Sequence, residues 1–183
     1  MDVVDVIKNR RSIRIFKKDV ISEDILIEGI KYGIMAPSAH NRQPWKFKIV
    51  STYEKDYIAD LLINKFKNDQ TSSALHTASV IKNAPHMIVI YIDNNIDDNR
   101  DMDIISIGAC IQNMTLYYES IGLGTLWVGN TNYISDDIAK YLGIDYETVS
   151  CLLVGYKDQD PHMRPRKDIE EVIVKWVVCE MII

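Results

Sequence analysis

Hydrophobic residues recur at the three- and four-residue spacing of an α-helix in six stretches of the chain, which predicts six helices. The predicted helices begin after Asp2, after Ser22 and at Ser135, and cover residues 53–67, 72–82 and 101–120. Pro37, Gly122 and Gly143 end three of them, because proline cannot continue a helix and glycine suits a helix C-cap. Apolar residues occur nearly all round the stretch 101–120, which predicts a central helix buried on every side.

Short apolar runs between these helices predict strands. Residues 86–92 form a continuous run rich in β-branched residues, which is typical of a strand buried on both faces. Further strands are predicted at residues 47–50, 126–128, 149–155 and 172–178. Helices and strands are mixed without the strict alternation of a doubly wound sheet, so we predict the α+β fold class. The length of 183 residues and the 47% hydrophobic content predict a single domain over residues 1–183.

The overall charge is acidic, with 21 Lys and Arg against 26 Asp and Glu and a formal net charge of -5. Such a chain lacks the broad basic face that nucleic-acid binding needs. The start of the sequence has acidic residues ahead of basic ones and no apolar segment of a secretory signal. The apolar runs are too short to span a bilayer. We therefore expect a soluble, cytoplasmic protein with no nucleic-acid partner and no membrane partner.

The cysteines and histidines do not suggest a metal or disulfide site. Cys110, Cys151 and Cys179 are odd in number, far apart in the sequence and each inside an apolar stretch. They are therefore predicted to be buried free thiols. The four histidines are scattered, without the spacing that zinc ligands show.

A basic island in this acidic chain is its most unusual feature. The segment Arg10-Arg11-Ser12-Ile13-Arg14-Ile15-Phe16, with its flanking lysines, gives six basic residues between positions 8 and 18. A bound anion explains this concentration of charge. The alternative is a solvated helix end, where basic side chains also suit the helix dipole.

A second basic island, Arg164-Pro165-Arg166-Lys167, follows some 150 residues later, in a predicted loop between two strands. Arginine forks match phosphate oxygens with two parallel hydrogen bonds. If the two islands meet in space, they form a clamp for a phosphate group.

Two further segments have unusual composition. The loop from Ala36 to Trp45 combines two prolines with Ser38 and Asn41, which suits hydrogen bonding to the edge of a planar ligand. The alternative is a plain connection in which these side chains bond their own backbone. In the segment Gly122–Gly129, glycines flank an apolar core and could let backbone amides approach a ligand, or could simply end a helix before a strand.

These four segments, taken together, resemble the FMN-dependent nitroreductases. The matching motifs are R-R-S-I-R-x-F, A-P-S-x-x-N-x-Q-P-W, G-L-G-x-x-W-x-G and R-P-R-K, in the family's order and across nearly the whole chain. The resemblance implies a central, mostly antiparallel sheet of about five strands flanked by helices. It also implies an intertwined homodimer with FMN at the subunit interface.

The same resemblance implies roles for individual residues. Arg10, Ser12 and Arg14 would hold the phosphate and ribityl chain with Arg11 beside them, and Arg164 with Arg166 would close the phosphate site. The loop after Ala36 would approach the flavin of the opposite subunit. Residues 126–129 would pass under the flavin ring. The implied cofactor-binding residues are Arg10, Arg11, Ser12, Arg14, Pro37, Ser38, Ala39, Asn41, Gln43, Thr125, Leu126, Trp127, Gly129, Arg164 and Arg166. Where many members carry a polar and a basic residue before the strand 86–92, this chain has Thr77 and Val80.

The activity that the resemblance implies is hydride transfer from NADH or NADPH through FMN to a small-molecule acceptor, such as a nitroaromatic or a quinone, by a ping-pong mechanism. Flavin chemistry needs no nucleophilic side chain, so we name no catalytic residue. The alternative is a flavin-binding or sensory module without physiological turnover, which the short chain and its open pocket would suit.

Overall fold

The computed structural model describes residues 2–69, 71–93 and 100–174. Its helices are α1 (Val3–Asn9), α2 (Glu23–Gly33), α3 (Thr52–Phe66), α4 (Ser73–Asn83), α5 (Arg100–Ser120), α6 (Ser135–Leu142) and α7 (Ile169–Val172), with 3₁₀ turns at Ala39–Asn41 and Asn130–Ile134. Its strands are β1 (Trp45–Val50), β2 (His86–Ile92), β3 (Leu123–Val128) and β4 (Glu147–Tyr156). None of the helices within these ranges is long and apolar enough to cross a membrane.

The four strands form one antiparallel sheet in the order β1-β2-β4-β3. The α+β prediction is therefore confirmed, but the described residues supply four strands where about five were expected. Of the strand predicted at residues 172–178, Val172 instead ends α7, and the part from residue 175 onward lies outside the described residues. The second basic island accordingly precedes a short helix rather than a strand.

Helices cover both faces of the sheet. Alternate residues of β2 point to opposite sides, so that Met87, Val89 and Tyr91 pack with α3, α4 and α6, while Ile88 and Ile90 pack with α2 and α5. This arrangement explains why β2 has no polar alternation, because neither of its faces meets water. The prediction that strand 86–92 is buried on both faces is confirmed.

Helix α5 is less enclosed than its sequence indicates. Ile107, Ile111 and Met114 are fully buried against the sheet and α2, yet Met102 and Ile105 are exposed, Ile105 by 72%. The sheet and α2 cover only part of the helix circumference, so the prediction of burial on every side is wrong for a single chain. We call the uncovered side of α5, from Met102 to Ser120, its outer stripe.

The first basic island begins where α1 ends, with Arg10 as the helix C-cap, and most of it lies beyond the helix. Helix α1 stops at Asn9, and residues 12–17 run in extended form along the sheet. The Ile13 amide donates to the Thr125 carbonyl at 2.9 Å, and the Lys17 amide donates to the Tyr156 carbonyl at 3.0 Å. Ile13 and Phe16 of this segment are buried, whereas Arg14 is exposed and Arg10 and Arg11 are half-buried.

Gly124 of β3 makes room for this docking. A Cβ at this position would lie 2.7 Å from Ile13 Cγ1, closer than real carbon contacts allow. Gly124 thus serves protein packing, a role that was not among the two interpretations of this segment, ligand approach and helix end.

The two cysteines within the described residues, Cys110 and Cys151, are buried free thiols, as predicted. Burial raises the pKa of each to about 12, so neither ionises near neutral pH. Cys179 lies outside the described residues.

His86, at the start of β2, binds through its ring the segment that follows the first basic island. The backbone amide of Ile21 donates to His86 Nε2 at 2.8 Å. The ring is about half buried, and this burial lowers its pKa below the ordinary histidine value of 6.5. A protonated ring could not accept the Ile21 hydrogen bond.

We predict that Gly124→Ala lowers the free energy of unfolding by about 1–3 kcal/mol, the usual cost of overpacking. Gly129→Ala, at the residue directly after β3, is the matched control, since a Cβ there would have no neighbour within 4 Å. Urea unfolding of the two variants measures the difference, and equal midpoints would contradict this account of Gly124.

We predict a histidine contribution to the pH dependence of stability. Because the folded pKa of His86 is lowered, the unfolded chain takes up the proton more readily. Its contribution to the free energy of unfolding is complete above the ordinary pKa and is lost as the pH falls through the folded pKa. Urea unfolding between pH 5 and 8 should show a weaker loss for His86→Gln, whose amide still accepts. Identical pH profiles would refute the assignment.

Candidate cofactor site

The structure brings the two basic islands together at one cavity. Its volume is about 250 Å³, and its wall is dominated by cationic side chains. The lining residues are Arg10, Arg11, Ser12, Arg14, Pro161, His162, Arg164 and Arg166. We call this cavity the arginine pocket. Residues separated by some 150 positions meet here because the segment 12–17 docks beside the end of β4, from which the chain continues to the second island.

No carboxylate among the described residues forms an ion pair with the five arginines of this pocket. Their recorded hydrogen bonds go to nearby carbonyls: Arg11 Nη1 donates to Lys8 O at 2.6 Å, and Arg166 Nη1 donates to Arg164 O at 3.0 Å. The Nε of Arg11 is buried and has no hydrogen-bond partner. Buried donors of this kind are normally satisfied, so the pocket fits an anion with several acceptor oxygens, such as a phosphate monoester.

A second cavity, of about 310 Å³, adjoins the first, and Arg14 lines both. We call it the β3 cavity, because the last residues of β3 and the turn after it form one wall. The lining residues are Arg14, Ser73, His76, Thr77, Leu126, Trp127, Val128, Gly129 and Asn130. Trp127 is held by a hydrogen bond from its indole Nε1 to Ser150 Oγ at 2.8 Å, yet 44% of the residue stays exposed. Three of the four residues predicted between positions 125 and 129, namely Leu126, Trp127 and Gly129, thus line the cavity next to the arginine pocket.

Thr125 has a different place from these neighbours. Its side chain is buried, and its carbonyl accepts the Ile13 amide. The structure therefore gives Thr125 a role in anchoring the first basic island.

Among the polar residues of the β3 cavity, Ser73, His76 and Asn130 were not identified from the sequence, and Thr77 was noted only for its position before the strand 86–92. Ser73, His76 and Thr77 lie on one face of α4, and Asn130 Nδ2 donates to Thr77 Oγ1 at 2.8 Å. Their spacing of three and four residues was a usable signal, but the meeting of α4 with Asn130 depends on tertiary packing. Val80 is buried in the core, so no basic side chain enters from that position.

The loop after Ala36 contributes to neither of these cavities. Pro37, Ser38 and Ala39 line a third cavity of about 300 Å³ together with the outer stripe residues Met102 and Ile105. This loop cavity shares no lining residue with the other two. Within one chain, the loop and the arginines therefore line different cavities. This arrangement is compatible with the expectation that the loop approaches the flavin of the opposite subunit.

The conformation of this loop is unusual. His40, Asn41 and Gln43 have φ angles of 51°, 55° and 50°, the left-handed region that side chains other than glycine and asparagine rarely adopt. Within the loop, the Gln43 amide donates to Ser38 Oγ at 3.0 Å. Ser38 therefore bonds the local backbone, as expected for a plain connection between helix and strand. Its neighbours Pro37 and Ala39 also line the loop cavity.

The fold and the arginine pocket together define an α+β protein with a phosphate-sized basic site at one edge of its sheet. A model of the nitroreductase family matches residues 7–156. This match covers most of the chain, so the chain belongs to the nitroreductase family, and the resemblance found from the four motifs is confirmed.

Individual relatives are similar to this chain over nearly its whole length, one in sequence and two in structure. The Bacillus subtilis protein named "Putative NAD(P)H nitroreductase YfhC" is 25% identical over 178 residues, which cover 91% of this chain and 90% of the relative. A Desulfovibrio desulfuricans structure solved in complex with FMN has a TM-score of 0.81 and 23% identity, covering 97% of this chain and 98% of that one. NADPH:FMN oxidoreductase from Vibrio harveyi, complexed with NAD⁺, has a TM-score of 0.80 and 21% identity, covering 98% and 79%.

Proposed function

We propose that this protein is an FMN-dependent oxidoreductase that takes electrons from NADH or NADPH and passes them to a nitroaromatic, a quinone or a similar small acceptor. The observation that carries the proposal is the arginine pocket, which has five arginines without a carboxylate ion pair among the described residues. Family membership and the names of the relatives point to the same cofactor and donor.

The two adjoining cavities suit the two ends of FMN. Arg10, Ser12, Arg14, Arg164 and Arg166 would hold the phosphate by charge-assisted hydrogen bonds, with Arg11 beside them. Arg14 lines both cavities, so a phosphate in the arginine pocket would be separated from the β3 cavity by no more than the Arg14 side chain. The β3 cavity would then take the ring, with Leu126, Trp127 and Gly129 forming its wall.

FMN, when bound, supplies the hydride chemistry, with donor and acceptor using the same site in turn in a ping-pong cycle. The chain itself contributes binding, orientation and electrostatics. Uncompensated guanidinium groups near the cavity favour negative charge there. The backbone of the turn at Gly129 and the polar group formed by Thr77 and Asn130 offer hydrogen bonds at the edge of the β3 cavity.

We further propose that the active form is a homodimer that packs through the outer stripe of α5. Met102 and Ile105 are exposed at one end of the stripe, and a groove of about 540 Å³ follows its other end. The groove is lined by Val3, Val6, Tyr32, Met35, Asn113, Leu116, Tyr117 and Ser120, and its wall is mainly apolar. An apolar groove beside exposed apolar side chains on one side of a helix supports the use of that side as a contact surface. Pro37, Ser38 and Ala39 lie on the same face, so a second copy on this stripe would bring Ser38, Asn41 and Gln43 toward the partner's flavin.

We predict that the purified protein is yellow or takes up added FMN, and that anaerobic NADH or NADPH bleaches the flavin band. Addition of a nitro compound or a quinone should restore the band with turnover. Failure to bind FMN would refute the proposal. Binding of FMN without reduction by either donor would instead favour the sensory module.

Within that assay, Arg10→Ala and Arg166→Ala should each weaken FMN binding by about 1.5–3 kcal/mol, the value of hydrogen bonds to charged groups. Arg100→Ala is the control, because Arg100 pairs with Glu147 at the surface and lines none of the three cavities described. Unchanged affinity in both pocket variants would place the phosphate elsewhere.

We predict that Ile105→Glu turns the dimer into monomers and weakens FMN binding, because a charge in the outer stripe opposes apolar packing. Tyr53→Glu is the control, since Tyr53 is equally exposed but lies on α3, across the sheet. Sedimentation velocity measures the oligomeric state. A wild-type monomer that binds FMN would contradict the shared site.

A further inference from the structure

Arg42 is the residue of the loop after Ala36 that connects it to α5. Its Nε and Nη2 both donate to Asp103 Oδ1, at 3.1 and 2.6 Å. Asp103 lies in the first turn of α5 with its side chain 1% exposed, and the Arg42 side chain is 18% exposed. A carboxylate buried to this degree is stable only when it is paired, so this contact is strongly specified.

The loop needs such a tether, because its backbone is strained. Left-handed φ values cost about 1–2 kcal/mol for each residue with an ordinary side chain. His40 and Gln43 adopt them directly on either side of Asn41 and Arg42. The local bonds of the loop, from the Asn41 amide to Ser38 O and from Gln43 to Ser38 Oγ, shape the turn but do not attach it to the rest of the protein.

Two observations connect the ion pair between Arg42 and Asp103 with the loop cavity. Ser38 and Ala39, four and three residues before Arg42, line the loop cavity. Ser106, one helical turn after Asp103 on α5, lines the same cavity. The ion pair therefore fixes the loop against the helix whose outer stripe faces the proposed partner.

We propose that Asp103 is a positioning residue for the flavin site: through its ion pair with Arg42 it holds the loop of residues 37–43 in the conformation that presents Ser38 and Asn41 to the cofactor. This conformation is left-handed at His40, Asn41 and Gln43. This inference rests on the proposed function for its ligand. The coupling between Asp103 and the loop itself is a property of the chain without cofactor, and can be measured there.

The first experiment follows trypsin cleavage after Arg42 in the cofactor-free protein by mass spectrometry. In the wild type, the pair buries the guanidinium that trypsin must bind, so cleavage is slow. Asp103→Asn keeps the shape but removes the charge, and should speed cleavage at this bond about tenfold. The matched control is Glu147→Gln, which removes the partner of Arg100 at the start of the same helix and should leave the rate unchanged.

The second experiment measures the FMN dissociation constant of the same variants by fluorescence titration. If one loop in ten keeps the competent conformation, the apparent constant rises about tenfold. Asp103→Asn should show this rise, and Glu147→Gln should bind like the wild type. Equal cleavage rates and equal dissociation constants in Asp103→Asn and wild type would overturn the inference.

A double variant, Arg42→Gln with Asp103→Asn, distinguishes loss of the ion pair from loss of the folded structure. It leaves no unpaired buried charge, so its thermal unfolding should stay close to that of the wild type. Its FMN binding should still be about tenfold weaker, and wild-type affinity in this folded variant would overturn the inference. A wild type that fails to bind FMN would refute the proposed function instead, while the cleavage rates would still report on the tether.

Discussion

A concentration of positive charge without matching carboxylates organises this protein. Five arginine side chains line one small pocket, and none of them has an ion pair within the described ranges. At an effective dielectric constant of 20, two unit charges 4 Å apart interact by about 4 kcal/mol, so such a group is costly unless an anion joins it. Burial of Ile13 and Phe16 and the backbone hydrogen bonds of their segment hold the first basic island on the sheet. These interactions offset the electrostatic repulsion among the arginines.

Helix α5 holds the other parts of the site in place through two buried carboxylates. Asp103 in its first turn pairs with Arg42 of the loop, and Glu119 near its last turn pairs with Lys157 at 2.6 Å. Lys157 in turn bridges to Phe16 at the end of the first basic island. Helix α5 thus holds both the loop after Ala36 and the end of β4, beside which the first basic island docks. The same helix presents the outer stripe, so cofactor site and proposed subunit contact share one support.

Local pattern was enough to predict much of this arrangement. The run 86–92 gave β2 with its bounds, because continuous burial leaves an unmistakable apolar segment, and the two arginine islands indicated a shared anion. Features that depend on contacts between distant elements could not be found in this way. Two such contacts are the pairing of Arg42 with Asp103 and the hydrogen bond between Asn130 and Thr77. The partners are far apart in the sequence, so nothing in the local pattern connects them. The exposed side of α5 was missed because a helix that faces a proposed partner has the same apolar pattern as one buried in its own chain.

The central claim is that the arginine pocket binds the phosphate of a flavin, and calorimetric titration with FMN and with riboflavin tests it most directly. The two ligands share the ring and the ribityl chain and differ only in the phosphate. Each charge-assisted hydrogen bond contributes about 1.5–3 kcal/mol, and 1.4 kcal/mol is a tenfold change in affinity. The account therefore predicts that FMN binds at least about a hundredfold more tightly than riboflavin. Equal affinity for the two ligands would contradict it.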